Sequence, residues 1–137
     1  MNAHLVEIGA SFAQTYAPVL DFHGWRVAML RHSGAVEPGL FHRVERHRNT
    51  NEVFLLTAGR ADLIICDGDA QPELPQILPM QINVAYNIQQ AVWHHVVMSR
   101  DAHIVLFERS DTGADNSDYA ELGADVTRDA IARFSIK

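Results

Sequence analysis

The stretch Arg43-Val44-Glu45-Arg46-His47-Arg48-Asn49-Thr50-Asn51-Glu52-Val53-Phe54-Leu55-Leu56-Thr57-Ala58-Gly59 decides how this chain is read. Side chains alternate along an extended segment, so Glu45 and His47 share one face while Val44 and Arg46 take the other. Asn49–Asn51 is turn chemistry, and on the returning segment Glu52, Phe54 and Leu56 share a face. With Glu52 inward on the paired strand, Glu45, His47 and Glu52 come within a few ångströms of one another as three metal-competent groups. About forty residues on, Trp93-His94-His95 places two imidazoles on opposite faces of another apolar segment. His94 shares its face with Val92, Val96 and Met98, the apolar positions expected to line an interior. One more imidazole beside Glu45, His47 and Glu52 makes a mixed nitrogen and oxygen site suited to zinc, iron, manganese or nickel.

Working outward, short apolar runs broken by turn residues dominate the middle of the chain. The spacing predicts strands at Trp25–Arg31, Leu40–His47, Glu52–Leu56, Ala61–Cys66, Gln81–Tyr86, Val92–Met98 and Ala102–Glu108. Short strands about ten residues apart point to an all-β sandwich or barrel. Gln71–Pro79 carries three prolines and reads as a loop, because a central strand has no place for them. The first twenty residues read as a short helix or an arm on the sheet. Asp111–Ser117 reads as a polar loop in an acidic segment (108–129). Asp125 is placed to start a last helix, with Val126, Ala130, Ile131 and Phe134 on one face.

The spacing His47-x4-Glu52-x6-Gly59, followed by His94 before a strand end, resembles the two motifs of the cupin superfamily. The likeness runs from about Leu40 to Glu108. His47, Glu52 and Gly59 match the first motif and His94 matches the histidine of the second. Glu45 stands where the family usually has a first histidine. Gln89 and Ala91 replace the proline and glycine of the second motif, and Met98 stands where an asparagine is usual. The resemblance implies an all-β, cupin-like double-stranded β-helix, a jelly-roll barrel with a short N-terminal arm and a C-terminal tail or helix. It implies one domain over residues 1–137 with a core of about 24–110. It brings His94 opposite Glu45, His47 and Glu52, giving a four-residue divalent metal site with Arg43, Phe54 and Met98 as substrate pocket. Tyr86–His94 and Asp101–Tyr119 are similar to small bacterial cupins, some assigned by analogy to ureidoglycolate processing, and more faintly to metal-free cupin ketoisomerases.

Composition sets the outer limits. Eleven basic against 17 acidic residues give a net charge of −6, which argues against a nucleic-acid footprint. The one lysine is Lys137, so neither a Schiff-base lysine nor a phosphate-binding P-loop is expected. No apolar run reaches the ~18 residues of a membrane span, and the leading residues do not read as a secretory leader. The single cysteine, Cys66, excludes an internal disulfide and reads as a packing residue. A cytoplasmic setting is expected. Asp111-Thr112-Gly113-Ala114-Asp115 matches the string of retroviral-type aspartic proteases, but Glu108-Arg109-Ser110 before it is not the apolar strand that chemistry requires. Trp93 is expected on the outer sheet face. Arg43 reads as a partner for Glu45 or as a clamp for a substrate carboxylate.

Three functions remain open at this point. They are a metal-dependent enzyme on a small polar carbonyl- or carboxylate-bearing metabolite, a metal-free isomerase or epimerase on a sugar-type substrate, and a non-catalytic small-molecule-binding module. The partners expected are a small-molecule ligand and a second copy of the chain, with the apolar residues Ile8–Tyr16 crossing between the two.

Overall fold

The computed structural model describes residues 2 and 4–136. Ten strands carry the fold: β1 (Tyr16–Phe22), β2 (Trp25–Arg31), β3 (Arg43–His47), β4 (Glu52–Ala58), β5 (Ala61–Cys66), β6 (Gln76–Pro79), β7 (Ala85–Ile88), β8 (Trp93–Met98), β9 (His103–Arg109) and β10 (Ser117–Glu121). One α-helix, α1 (Ala124–Arg133), follows. The strands form two antiparallel five-stranded sheets, ordered β1-β2-β9-β4-β7 and β10-β3-β8-β5-β6. This is an all-β jelly-roll barrel, as the resemblance implies.

Two-residue periodicity builds the interior. Ala28 and Leu30 of β2, Phe54 and Leu56 of β4, and Ile104 and Leu106 of β9 are buried against Leu63, Val96 and Met98 of the facing sheet. A second apolar layer lies outside the β10-β3-β8-β5-β6 sheet. There Val44, Ile64, Cys66, Trp93 and Val97 are covered by Ala130 and Phe134, with Ile136 and Phe41 beside them. Burying a side chain the size of Phe134 or Ile136 stabilises by about 1.5–3 kcal/mol, so the helix is held by packing rather than by propensity. Asp62, fully buried on β5, fastens the chain after α1 by accepting from Ser135 N (2.7 Å) and Ser135 Oγ (2.5 Å).

Several expectations are corrected. Gln76–Pro79 is a strand, not a loop; it lies at a sheet edge, where Pro79 does not interrupt a ladder on both sides. Tyr16–Phe22, read in part as a helix or arm, and Ser117–Glu121, not read as a strand, belong to the sheets as edge strands β1 and β10. β7 begins at Ala85 rather than Gln81. β3 and β4 do not form a hairpin. β3 pairs with β8 and β10, whereas β4 pairs with β7 and β9, so the turn after His47 carries the chain from one sheet to the other. Gly59 turns the chain from β4 into β5 with φ +71°, and a Cβ there would sit 2.5 Å from Ala102 Cα. Asp111 lies in an exposed turn, bonded to Arg109 (3.0 Å), which disposes of the aspartic-protease likeness. No described helix is long and apolar enough to cross a membrane.

Candidate functional site

Because β3 and β4 lie in facing sheets, the expected cluster assembles across the barrel instead of along a hairpin. β3 contributes Glu45 and His47, β8 contributes His94, and the β3–β8 register sets Glu45 directly against His94. Glu52, at the start of β4, approaches from the other sheet. Its Oε1 lies 3.2 Å from His94 Nε2 and 3.6 Å from His47 Nε2. Glu45 Oε1 stands 4.0 Å from His47 Nε2. The two imidazoles meet edge to face with ring centres 5.2 Å apart. All four residues singled out from the sequence therefore converge, with His47, Glu52 and His94 buried and Glu45 half-buried.

The ring nitrogens are already oriented. His94 Nδ1 lies 2.9 Å from the Val92 carbonyl, which only accepts, so Nδ1 carries the proton and Nε2 faces Glu52. His47 Nδ1 lies 2.8 Å from Ser117 Oγ, while His47 Nε2 is buried with no hydrogen-bond partner. An orphaned ring nitrogen aimed at carboxylates is what a metal ligand looks like before its ion. The donor atoms of Glu45, His47 and His94 lie within 4.8 Å of one another, as do those of His47, Glu52 and Glu108. Each set of three has the donor chemistry of a divalent-ion site, and His47 is common to both.

Glu108, Tyr16 and Arg26 were not anticipated as site residues. Glu108 is 2% exposed; it accepts hydrogen bonds from Tyr16 Oη and from Arg26 Nε (3.2 Å) and Nη2 (2.8 Å). Arg26 also donates to the carbonyls of Ser110 (3.1 Å) and Thr112 (2.9 Å). Alternation held the signal, because Glu108 shares its parity with the inward Ile104 and Leu106, and Arg26 with Ala28 and Leu30. The reading as the start of an acidic tail obscured it.

Neighbours split the two inner carboxyls. Burial pushes Glu52 upward, but the adjacent His47, His94 and Glu108 outweigh it and hold the carboxyl well below the usual range. Burial and the adjacent Glu52 carboxylate push Glu108 up to about 7, against the pull of Tyr16 and Arg26. Burial works to lower the His47 pKa, yet Glu52, Glu45 and Glu108 together raise it. Burial and Glu108 push the Tyr16 phenol upward. Two carboxyls driven apart in this way divide into a fixed anion and a group that titrates near neutrality.

The cluster forms the floor of a cavity of about 760 Å³, large enough for a small organic molecule. Phe54 lines it and packs edge-on to His94 (5.9 Å), and Arg43 lines its wall. Met98 does not belong to it: it lies in the core opposite Ala61, at the far end of β8 from His94. Four residues of extended chain, about 13 Å, separate the two positions. Arg43 makes no ion pair with Glu45; its guanidinium lies over the Tyr119 ring, 4.9 Å from the centre. His95 faces away from the cluster, stacked on Phe41 (5.4 Å).

No protein-family model matches the chain, and no curated protein matches its sequence. Solved structures do match. A cupin-2 domain-containing protein from Shewanella frigidimarina is 20% identical, covering 72% of this chain and 84% of its own, with a TM-score of 0.53. A cupin 2 domain-containing protein from Halorhodospira halophila is 16% identical, covering 90% and 80%, with a TM-score of 0.55. Hydroquinone 1,2-dioxygenase from Sphingomonas sp. TTNP3, with 4-hydroxybenzoate bound, is 11% identical, covering 77% and 72%, with a TM-score of 0.57. At these identities the likeness is one of fold, and it agrees with the strand order and with the motif residues His47, Glu52, Gly59 and His94: the chain has the cupin fold.

Proposed function

We propose that this chain binds one divalent metal ion through His47, His94, Glu52 and Glu45, and acts on a small carbonyl- or carboxylate-bearing molecule held in the cavity above it. The observation that carries the reading is the buried, unpartnered His47 Nε2 facing the Glu52 carboxylate that also meets His94. Zinc, iron, manganese and nickel all suit two imidazoles with carboxylates. When bound, such an ion supplies Lewis-acid polarisation of a ligand oxygen. The protein groups do the rest. Ser117 and the Val92 carbonyl orient the imidazoles, and Tyr16 and Arg26 hold Glu108 beside Glu52.

Elemental analysis of protein purified without a histidine tag tests this: about one divalent ion per chain is expected. His47→Ala should lose the ion and lower Tm. An ion at a hundred times its Kd stabilises by about 2.7 kcal/mol, which is several degrees. A metal-free native protein with unchanged His47→Ala stability rejects the reading.

A second reading is favoured by one observation. Glu108, pushed up to about 7 beside His47 and Glu52, suits metal-free proton shuttling next to a substrate carbonyl, as in an isomerase or epimerase. Turnover by protein shown to hold no metal would decide for it. A soluble cytoplasmic homodimer is the form in which we propose that the chain acts.

A further inference from the structure

β3 presents its cavity-facing residues as a series. Arg43 is exposed at the mouth, Glu45 is half-buried, and His47 is buried at the floor. At about 3.3 Å per residue the series spans roughly 13 Å. Its outer end is one of two arginines with no oxygen partner among the described residues; the other, the exposed Arg100 in the turn after β8, does not line the cavity. Arg26, Arg46, Arg48, Arg109, Arg128 and Arg133 each meet a carboxylate, and Arg31 and Arg60 each donate to a carbonyl. Arg43 donates to no oxygen among the described residues, although Glu121 stands opposite it in the β3–β10 register. The Glu121 carboxylate meets His42 Nδ1 instead, at 2.6 Å. The Arg43 guanidinium lies over Tyr119, the residue opposite Glu45, and so leans inward along the strand. A guanidinium stacked on a ring keeps its donor edge free for a planar anion.

We propose that Arg43 binds the carboxylate of the ligand, and that the ligand is an aromatic or alicyclic acid with an oxygen donor at the end remote from its carboxylate. The inner end of this assignment rests on the metal reading above; the outer end rests on Arg43 alone. The body of the ligand lies against Val36, Leu40, Phe41, Phe54, Val96 and Leu106, which line the cavity between the two ends. Charge fixes the direction of entry. The free donor edge of Arg43 lies at the outer end of the series, so the acid group stays at the mouth and the uncharged oxygen goes inward.

Calorimetric titration of the purified protein with three acids and their primary amides tests this: 4-hydroxyphenylacetate, 3-(4-hydroxyphenyl)propanoate and 4-hydroxycyclohexanecarboxylate. Acid and amide share shape and differ in charge. At least one acid is expected to bind about tenfold or more tightly than its amide, the scale of one charge-assisted pair. Arg43→Met should erase that preference while Tm and metal content stay as in the native chain. Equal binding of acid and amide across the series, or a preference that survives Arg43→Met, overturns the proposal. Failure of the metal reading looks different: the native protein then lacks metal, while any acid preference and its loss in Arg43→Met are still measured.

Discussion

Cys66 shows how far burial sets the chemistry of a single residue here. It is 1% exposed beneath α1, and burial first, with Asp67 second, pushes its thiol up from 9.0 to about 11. The fold thus favours the neutral thiol. That contribution to stability is complete below pH 9 and is lost as the pH rises from 9 to about 11. At pH 8 the thiolate fraction falls from roughly 10% to roughly 0.1%, so ionisation alone slows alkylation about a hundredfold, and steric closure slows it more. Iodoacetamide at pH 8 should leave the native protein unmodified over a period that labels one thiol per chain in urea, as read by mass. Rapid native labelling would show that α1 does not cover this face.

At the scale of elements, the turn before β8 carries a strain that a single atom group explains. Ala91 adopts φ +64° and its N–H bonds the His47 carbonyl (2.9 Å), tying the β7–β8 turn to the end of β3. It occupies the place where the family motif has glycine, and the left-handed region costs an alanine about 1 kcal/mol. Ala91→Gly should relieve that cost with the hydrogen bond intact, leaving a net gain of about 0.5 kcal/mol and a rise in Tm of roughly 1–3 °C. A fall in Tm in a thermal melt would show that the turn is not strained. The same elements show what was legible in advance. β2 and β5 were readable to the residue because each is a short apolar run between clear turns. β1 and β10 were not: Pro18 and the polar mixture of Ser117–Glu121 are tolerable on edge strands, and such strands carry no apolar alternation to read. For the site, Glu45, His47, Glu52 and His94 were legible from motif spacing and parity. Tyr16 and Arg26 were not, because only the β1-β2-β9 pairing brings them to Glu108, and pairing of strands some 80 residues apart leaves no local signature.

The whole molecule is asymmetric in how it covers its sheets. α1 shields the outer face of one sheet. The outer face of the other carries Val27 and Met29 on β2, Val105 and Phe107 on β9, and Val53 and Leu55 on β4, all only half-buried. These six lie side by side, since Val53 pairs with Phe107 and Phe107 with Val27, while Leu55 pairs with Val105 and Val105 with Met29. The N-terminal arm adds Leu5, Ile8 and Phe12, which are 73, 82 and 82% exposed, and Phe22 and Trp25 continue the apolar surface at the β1–β2 turn. We propose that in a two-fold dimer the arm of each copy covers this apolar face of the other. Light scattering at micromolar concentration should therefore return twice the 15.3 kDa chain mass. Phe107→Glu, which places a charge at the centre of that face, should return one chain mass without disturbing the cavity on the other side of β9. A native monomer would reject the dimer, and a Phe107→Glu dimer would move the interface away from this sheet.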